Sequence, residues 1–155
     1  MRVFIAGIEG YIGFALCNHL LARGDTVGGL DAGHRDRWVR EVGSQSAIPV
    51  YPWQERAVAL REAHGETAAF YPADTRNSDE LVHVLQSFQP DAIVHLAEQP
   101  SAPFSFIHRA LTYDCNVTGS VNLLSAMETA CPGAHLLKLG TMGEYGTPGV
   151  PIPEG

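Results

Sequence analysis

The chain opens "MRVFIAGIEGYIGFALCNHLLARG", and its glycines Gly7, Gly10 and Gly13 fall where an apolar strand gives way to an apolar helix. A strand that turns directly into a helix leaves the first N–H groups of that helix unpaired and aimed at whatever lies above the turn. Those groups, together with the positive end of the helix dipole, favour a phosphate. Side chains at the turn would block its approach. Gly7 permits the tight turn, Gly10 lets backbone meet a pyrophosphate, and Gly13 lets the helix lie close on the sheet. Tyr11 and Ile12, between the last two glycines, belong to the same candidate cofactor-binding set.

The rest of the chain repeats the strand-then-helix pattern. Residues 2–7 form a short, almost wholly apolar strand, as expected where both faces of a parallel sheet are covered. Residues 11–23 form a helix with Ile12, Leu16, Leu20 and Leu21 near one stripe and Gly24 as its stop. Further strands are expected at 25–31, 68–74, 90–97 and 134–141. Helices are expected at 77–88, started by Asn77 or Ser78, and through most of 103–130. In 32–67, "HRDRWVREVG" and "WQERAVALREAHG" look helical, and "SQSAIPVYP" between them reads as loop. This alternation predicts an α/β fold, a Rossmann-type doubly wound parallel sheet of order 3-2-1-4-5. One domain is expected over 1–146, followed by a Pro/Gly-rich loop over 147–155.

Asp31 closes the second strand, 18 residues after Gly13. An acid there accepts hydrogen bonds from the adenosine ribose hydroxyls and repels a 2′-phosphate, so the expected cofactor is NAD rather than NADP. His34, Arg35 and Arg37 follow closely and would weaken that preference. Asp74 and Thr75 end the third strand at the same sheet edge and are candidates to flank the adenine. The net charge of −7 disfavours nucleic acid or an acidic membrane as partner. Cys17, Cys115 and Cys131 match neither a zinc spacing nor a disulfide framework, and no metal site is expected. Cys17 reads as a small buried hydrophobe in a reducing compartment. With no signal-peptide pattern at the N-terminus, the expected location is cytoplasmic.

With "VHLAEQPSAP" after the fourth strand and "LLKLGTMGEYGTP" at the fifth, the chain resembles the extended short-chain dehydrogenases/reductases, the NAD-dependent epimerase/dehydratase group acting on nucleotide sugars. "EQPSAP" (98–103) and "KLGTMGEYGTP" (138–148) are similar to its sulfoquinovose-forming branch. The resemblance implies that Ala97, Glu98 and Gln99 lie beside the cofactor ribose and nicotinamide, with Leu96 in the same cofactor-binding set, and that Asn116 supports the active site. It implies Thr141 as the catalytic hydroxyl holding the sugar 4-OH. Gln99, Ser101, Met142, Gly143 and Glu144 become candidate substrate-binding residues, with UDP-glucose as substrate and sulfite as second reactant. It also implies a homodimer built on the helices flanking strands four and five.

The 4,6-dehydratases of the group carry Thr-Asp-Glu where this chain has Thr141, Met142 and Gly143, so their acid and base are missing. A 4-epimerase needs no such pair and remains an alternative. The family base, a tyrosine four residues before a lysine, has no counterpart: Lys138 is the only lysine, and it lies in the fifth strand. A general base must reach the proton it abstracts. The chain is therefore expected to be the front half of a longer enzyme, binding NAD weakly and turning over no sugar by itself. If it is natively complete, a non-catalytic nucleotide-binding module is the other class of reading.

Overall fold

The computed structural model describes residues 1–141 of the 155-residue chain. Five short strands form one parallel sheet: β1 (Arg2–Ala6), β2 (Thr26–Leu30), β3 (Ala69–Tyr71), β4 (Ala92–His95) and β5 (His135–Lys138). Their order is β3-β2-β1-β4-β5, as expected from the alternating pattern. The connections leave β1 in one direction through β2 to β3, then return to its other side for β4 and β5. A crevice at such a reversal, outside the carboxyl ends of the strands, is where doubly wound sheets bind ligands.

The helices are α1 (Tyr11–Ala22), α2 (Arg35–Glu41), α3 (Trp53–His64), α4 (Ser78–Phe88), α5 (Ala102–Ile107), α6 (Arg109–Tyr113) and α7 (Gly119–Ala130). A π-helical turn at Asp114–Thr118 joins α6 to α7. Side chains alternate faces along a strand, and β1 uses both. Phe4 and Ala6 pack with Leu81, Leu85 and Phe88 of α4 and Leu123 and Met127 of α7. Val3 and Ile5 pack with Cys17, Leu20 and Leu21 of α1 and Trp53 and Leu60 of α3. The two layers cover the central strand completely, which is why "VFIA" is apolar without a break.

Differences from the sequence expectation have local causes. The first strand ends at Ala6 because Gly7 turns into the left-handed region at φ +92°. Ile12, expected in the buried stripe of the first helix, is exposed, and Gly13, Cys17, Leu20 and Leu21 make that stripe instead. The long helix expected over 103–130 is broken at His108 (φ −115°, ψ 57°) and loosened by the π turn. Asn77 caps α4 by accepting from the Glu80 N–H at 3.3 Å. Residues 44–52 carry neither helix nor strand. The loop expected at 147–155 lies outside the described residues. No helix among the described residues is long and apolar enough to cross a membrane.

The glycines of "VGGL" in β2 make room for neighbours. A Cβ on Gly28 would lie 2.5 Å from the Phe88 ring, and one on Gly29 would lie 2.7 Å from the Ile8 Cβ. Overpacking of this kind typically costs about 1–3 kcal/mol. Gly28→Ala should therefore lower the urea midpoint by a corresponding amount. An unchanged midpoint would show that the α4 layer does not rest on β2 as described.

Candidate functional site: the crevice at the strand carboxyl ends

The glycine turn is fixed from two sides. The Leu30 carbonyl, ending β2, accepts from the N–H groups of Gly7 at 2.8 Å and Ile8 at 3.1 Å. On the β4 side, a Cβ on Gly7 would lie 2.9 Å from the backbone of Leu96 and Ala97. A Cβ on Gly13 would be driven into the Gly7 carbonyl oxygen. Only glycine at both positions lets α1 start this close to the sheet. Gly10 caps α1 without a side chain, and the first turn of α1 carries no acid. The first helical bond runs from the Phe14 N–H to the Gly10 carbonyl at 2.9 Å. Among the described residues nothing accepts from the N–H groups of Tyr11, Ile12 or Gly13. Three backbone donors at a helix start, with no carboxylate competing for them, fit an anionic diphosphate.

These residues open onto a crevice of about 630 Å³ that runs along the strand ends from Asp31 and Asp74 to Thr141. Asp31 is held by backbone: one carboxylate oxygen accepts from the Glu9 N–H at 3.1 Å and the other from the Gly33 N–H at 2.9 Å. Asp74 and Thr75 line the same crevice after β3. Burial disfavours the Asp74 charge, but bonds from Arg76 and His34 outweigh it and hold the carboxyl down at about 2. The contacts are Arg76 Nη2 at 2.6 Å, Arg76 Nε at 3.0 Å and His34 Nε2 at 3.1 Å. Thr75 is buried under Gly119 of α7.

At the other end, Leu96, Ala97, Glu98, Gln99 and Asn116 form the wall. Asn116, from the π turn, clamps the backbone of Gln99: its Oδ1 accepts from the Gln99 N–H at 2.7 Å and its Nδ2 donates to the Gln99 carbonyl at 3.1 Å. The Gln99 side chain is buried, and its amide is spent on Ser101 and Thr112. The Ser101 hydroxyl caps α5 by accepting from the Phe104 N–H. Glu98 forms an ion pair with Lys138 of β5. His95 lies beneath them, with Nε2 2.9 Å from the Ser120 hydroxyl. Burial and then the Lys138 charge push its pKa down, against the opposing Glu98 charge, and so favour the neutral ring. Thr141 stands at the β5 end of the crevice. Met142, Gly143 and Glu144 lie outside the described residues.

Sequence reasoning did not single out Trp38 or Cys115 for the site, yet both line the crevice. Trp38 is reached through an aromatic ladder: His34–Trp38 at 5.1 Å, Trp38–Phe104 at 5.3 Å and Phe104–His108 at 4.4 Å between centroids. The spacing of His34 and Trp38, one helical turn apart, was the available signal. His34 turns to Asp74, while Arg35 lines the crevice and Arg37 is exposed. No group of three or more His, Cys, Asp or Glu among the described residues is arranged to hold a metal.

A doubly wound parallel sheet, entered through a glycine turn and carrying an acid at the end of its second strand, defines a nucleotide-binding α/β protein. The chain belongs to the NAD-dependent epimerase/dehydratase family, whose model matches residues 3–155. It is 41% identical to the UDP-sulfoquinovose synthase of Sulfolobus acidocaldarius, over 99% of this chain and 40% of that protein. It is 37% identical to the chloroplastic UDP-sulfoquinovose synthase of Spinacia oleracea, over 99% of this chain and 33% of that one. The chain thus spans 40% or less of the length of these two relatives. The crystal structure of a UDP-glucose 4-epimerase from Stenotrophomonas maltophila, with bound NAD and formylated UDP-arabinopyranose, superposes with a TM-score of 0.77. That match has 25% identity and covers 97% of this chain and 40% of that one.

The Asp74 contacts predict acid sensitivity. A carboxyl whose folded pKa is depressed adds stability above its ordinary value of 3.8, and that stability is lost as pH falls towards about 2. Asp74→Asn should flatten the fall in thermal midpoint over this window. A variant whose acid limb overlays the wild type would contradict the contacts.

Proposed function

We propose that the chain is the NAD-binding part of a nucleotide-sugar-modifying enzyme of the UDP-sulfoquinovose synthase type. The observation that carries the coenzyme reading is the trio of open amides at Tyr11, Ile12 and Gly13, set beside the backbone-anchored carboxylate of Asp31. The amides take the diphosphate, and Asp31 takes the adenosine ribose. Asp74 and Thr75 flank the adenine, its carboxylate steadied by Arg76. Leu96, Ala97 and Glu98 border the nicotinamide end, where Asn116 holds the loop in shape. The sulfoquinovose branch is supported by the 41% and 37% identities over nearly the whole chain.

When bound, NAD supplies reversible hydride acceptance at C4 of the sugar, and the ketone this leaves acidifies the C5 proton, permitting loss of the 6-OH and addition of sulfite. Thr141 holds the 4-OH in line with the nicotinamide end of the crevice. Its position after β5, at the carboxyl edge of the sheet, supports that role. Substrate contacts fall to Met142, Gly143 and Glu144, whereas Gln99 and Ser101, whose side chains are spent on neighbouring residues, shape the wall beside the substrate. UDP-glucose is the proposed substrate, with sulfite as the second reactant. A 4-epimerase is the second reading, favoured by the fold match to a solved 4-epimerase. No tyrosine of the sequence stands four residues before a lysine, so the chain by itself lacks a supported base and is proposed to leave UDP-glucose unconverted.

Tyr113, Val117, Val121 and Leu124 are exposed at helical spacing along α6, the π turn and α7. This apolar stripe supports a homodimer through these helices. The cytoplasm is the proposed location, since all three cysteines are free and buried and suit a reducing compartment.

Calorimetry tests the coenzyme reading. The chain should bind NAD more tightly than NADP. Asp31→Ala should weaken NAD about tenfold, the scale of losing hydrogen bonds to a charged acceptor, and narrow the gap to NADP. Equal affinity of the wild type for the two dinucleotides would overturn the assignment of Asp31. Steady product formation from NAD, UDP-glucose and sulfite would overturn the proposed inactivity.

A further inference from the structure

The segment between β2 and β3 reaches back to the glycine turn. Its helix α3 is anchored by buried Leu60 and by Trp53, which stacks on Phe70 with centroids 4.6 Å apart. That anchoring brings Arg56 against the turn. Its Nη1 donates to the Glu9 carbonyl at 2.9 Å, and its Nε donates to the Tyr51 carbonyl at 2.8 Å. The guanidinium lies over the Phe14 ring of α1, 4.8 Å from the centroid. One planar cation therefore joins the loop before α3, the turn and the first helix.

The Glu9 carbonyl belongs to the peptide that leads into Gly10. At the other end of that peptide, the Gly10 N–H donates to the Gly7 carbonyl at 3.2 Å. Glycine lacks the Cβ that resists rotation of such a peptide. A rotated peptide would break that bond and aim the Glu9 carbonyl oxygen at the Gly7 carbonyl oxygen, so the turn that sets where α1 begins would have to move. Holding the Glu9 oxygen on the Arg56 cation, outside the turn, keeps the turn and the first amides of α1 in place.

We infer that Arg56 is a positioning residue for diphosphate binding, fixing the Glu9–Gly10 peptide and with it the place and direction of the amides of Tyr11, Ile12 and Gly13. This rests on the coenzyme reading above. The fork geometry matters, because arginine serves the Tyr51 and Glu9 carbonyls together whereas a lysine ammonium is a point charge on a flexible stem.

The test is calorimetry of the chain and its Arg56→Met and Arg56→Lys variants with NAD, ADP-ribose and adenosine, with melting temperatures measured alongside. Arg56→Met should weaken NAD and ADP-ribose about tenfold and adenosine less than about twofold, the loss of one charge-assisted bond felt only through the diphosphate. Arg56→Lys, which keeps the charge and one donor, should fall between Arg56→Met and the wild type. Should Arg56→Met fail to fold, Arg56→Lys carries the comparison. Folded variants that bind ADP-ribose like the wild type, or lose adenosine equally, would overturn the role of Arg56 and leave the coenzyme site standing. A wild-type chain indifferent to NAD would overturn both.

Discussion

One carbonyl organises this molecule. The Leu30 oxygen, at the end of β2, accepts from two successive N–H groups of the turn that leaves β1. The turn is thereby held by its neighbour strand as well as by its own bond from the Gly10 N–H to the Gly7 carbonyl. Gly7 closes against the backbone after β4 on the opposite side, and Gly13 against Gly7 itself. Three adjacent strands thus set where α1 begins. Everything proposed for the crevice follows from the resulting open amides.

The two layers divide the work. The layer of α4 and α7 buries Phe4, Phe88 and Leu123 and serves the fold. The other layer, of α1 and α3, both buries Ile5 and Cys17 and carries the open amides at the start of α1. Burial pushes the Cys17 thiol up to about 12, so it sits there as a neutral, compact hydrophobe. Above the sheet edge, the contacts of Arg76 and His34 with Asp74, and of Lys138 with Glu98, brace both ends of the crevice.

The glycine turn was legible in the sequence because its signal is local: three glycines at fixed offsets, strand before, helix after. Strand order followed from alternation and right-handed crossovers. What could not be read is what long-range contacts decide. Residues 34–43 and 53–65 look helical in the sequence, but nothing there says that Arg56 reaches Glu9 or that Trp38 meets Phe104. Gln99 shows the same limit. It lies in an irregular stretch with no periodicity to assign its face, and its amide turns inward to Ser101 and Thr112. Ile12 lies at the crevice, in the first turn of α1, where no packed layer covers the apolar residue that periodicity assigns to the core.

The start of α1 is proposed as a donor bed for a dinucleotide diphosphate. Amide chemical shifts of the ¹⁵N-labelled chain, followed while NAD is added, address it directly. The largest shifts should fall on the amides of Tyr11, Ile12 and Gly13, moving together with saturation. Shifts concentrated elsewhere, with these three amides unmoved at saturating NAD, would contradict it.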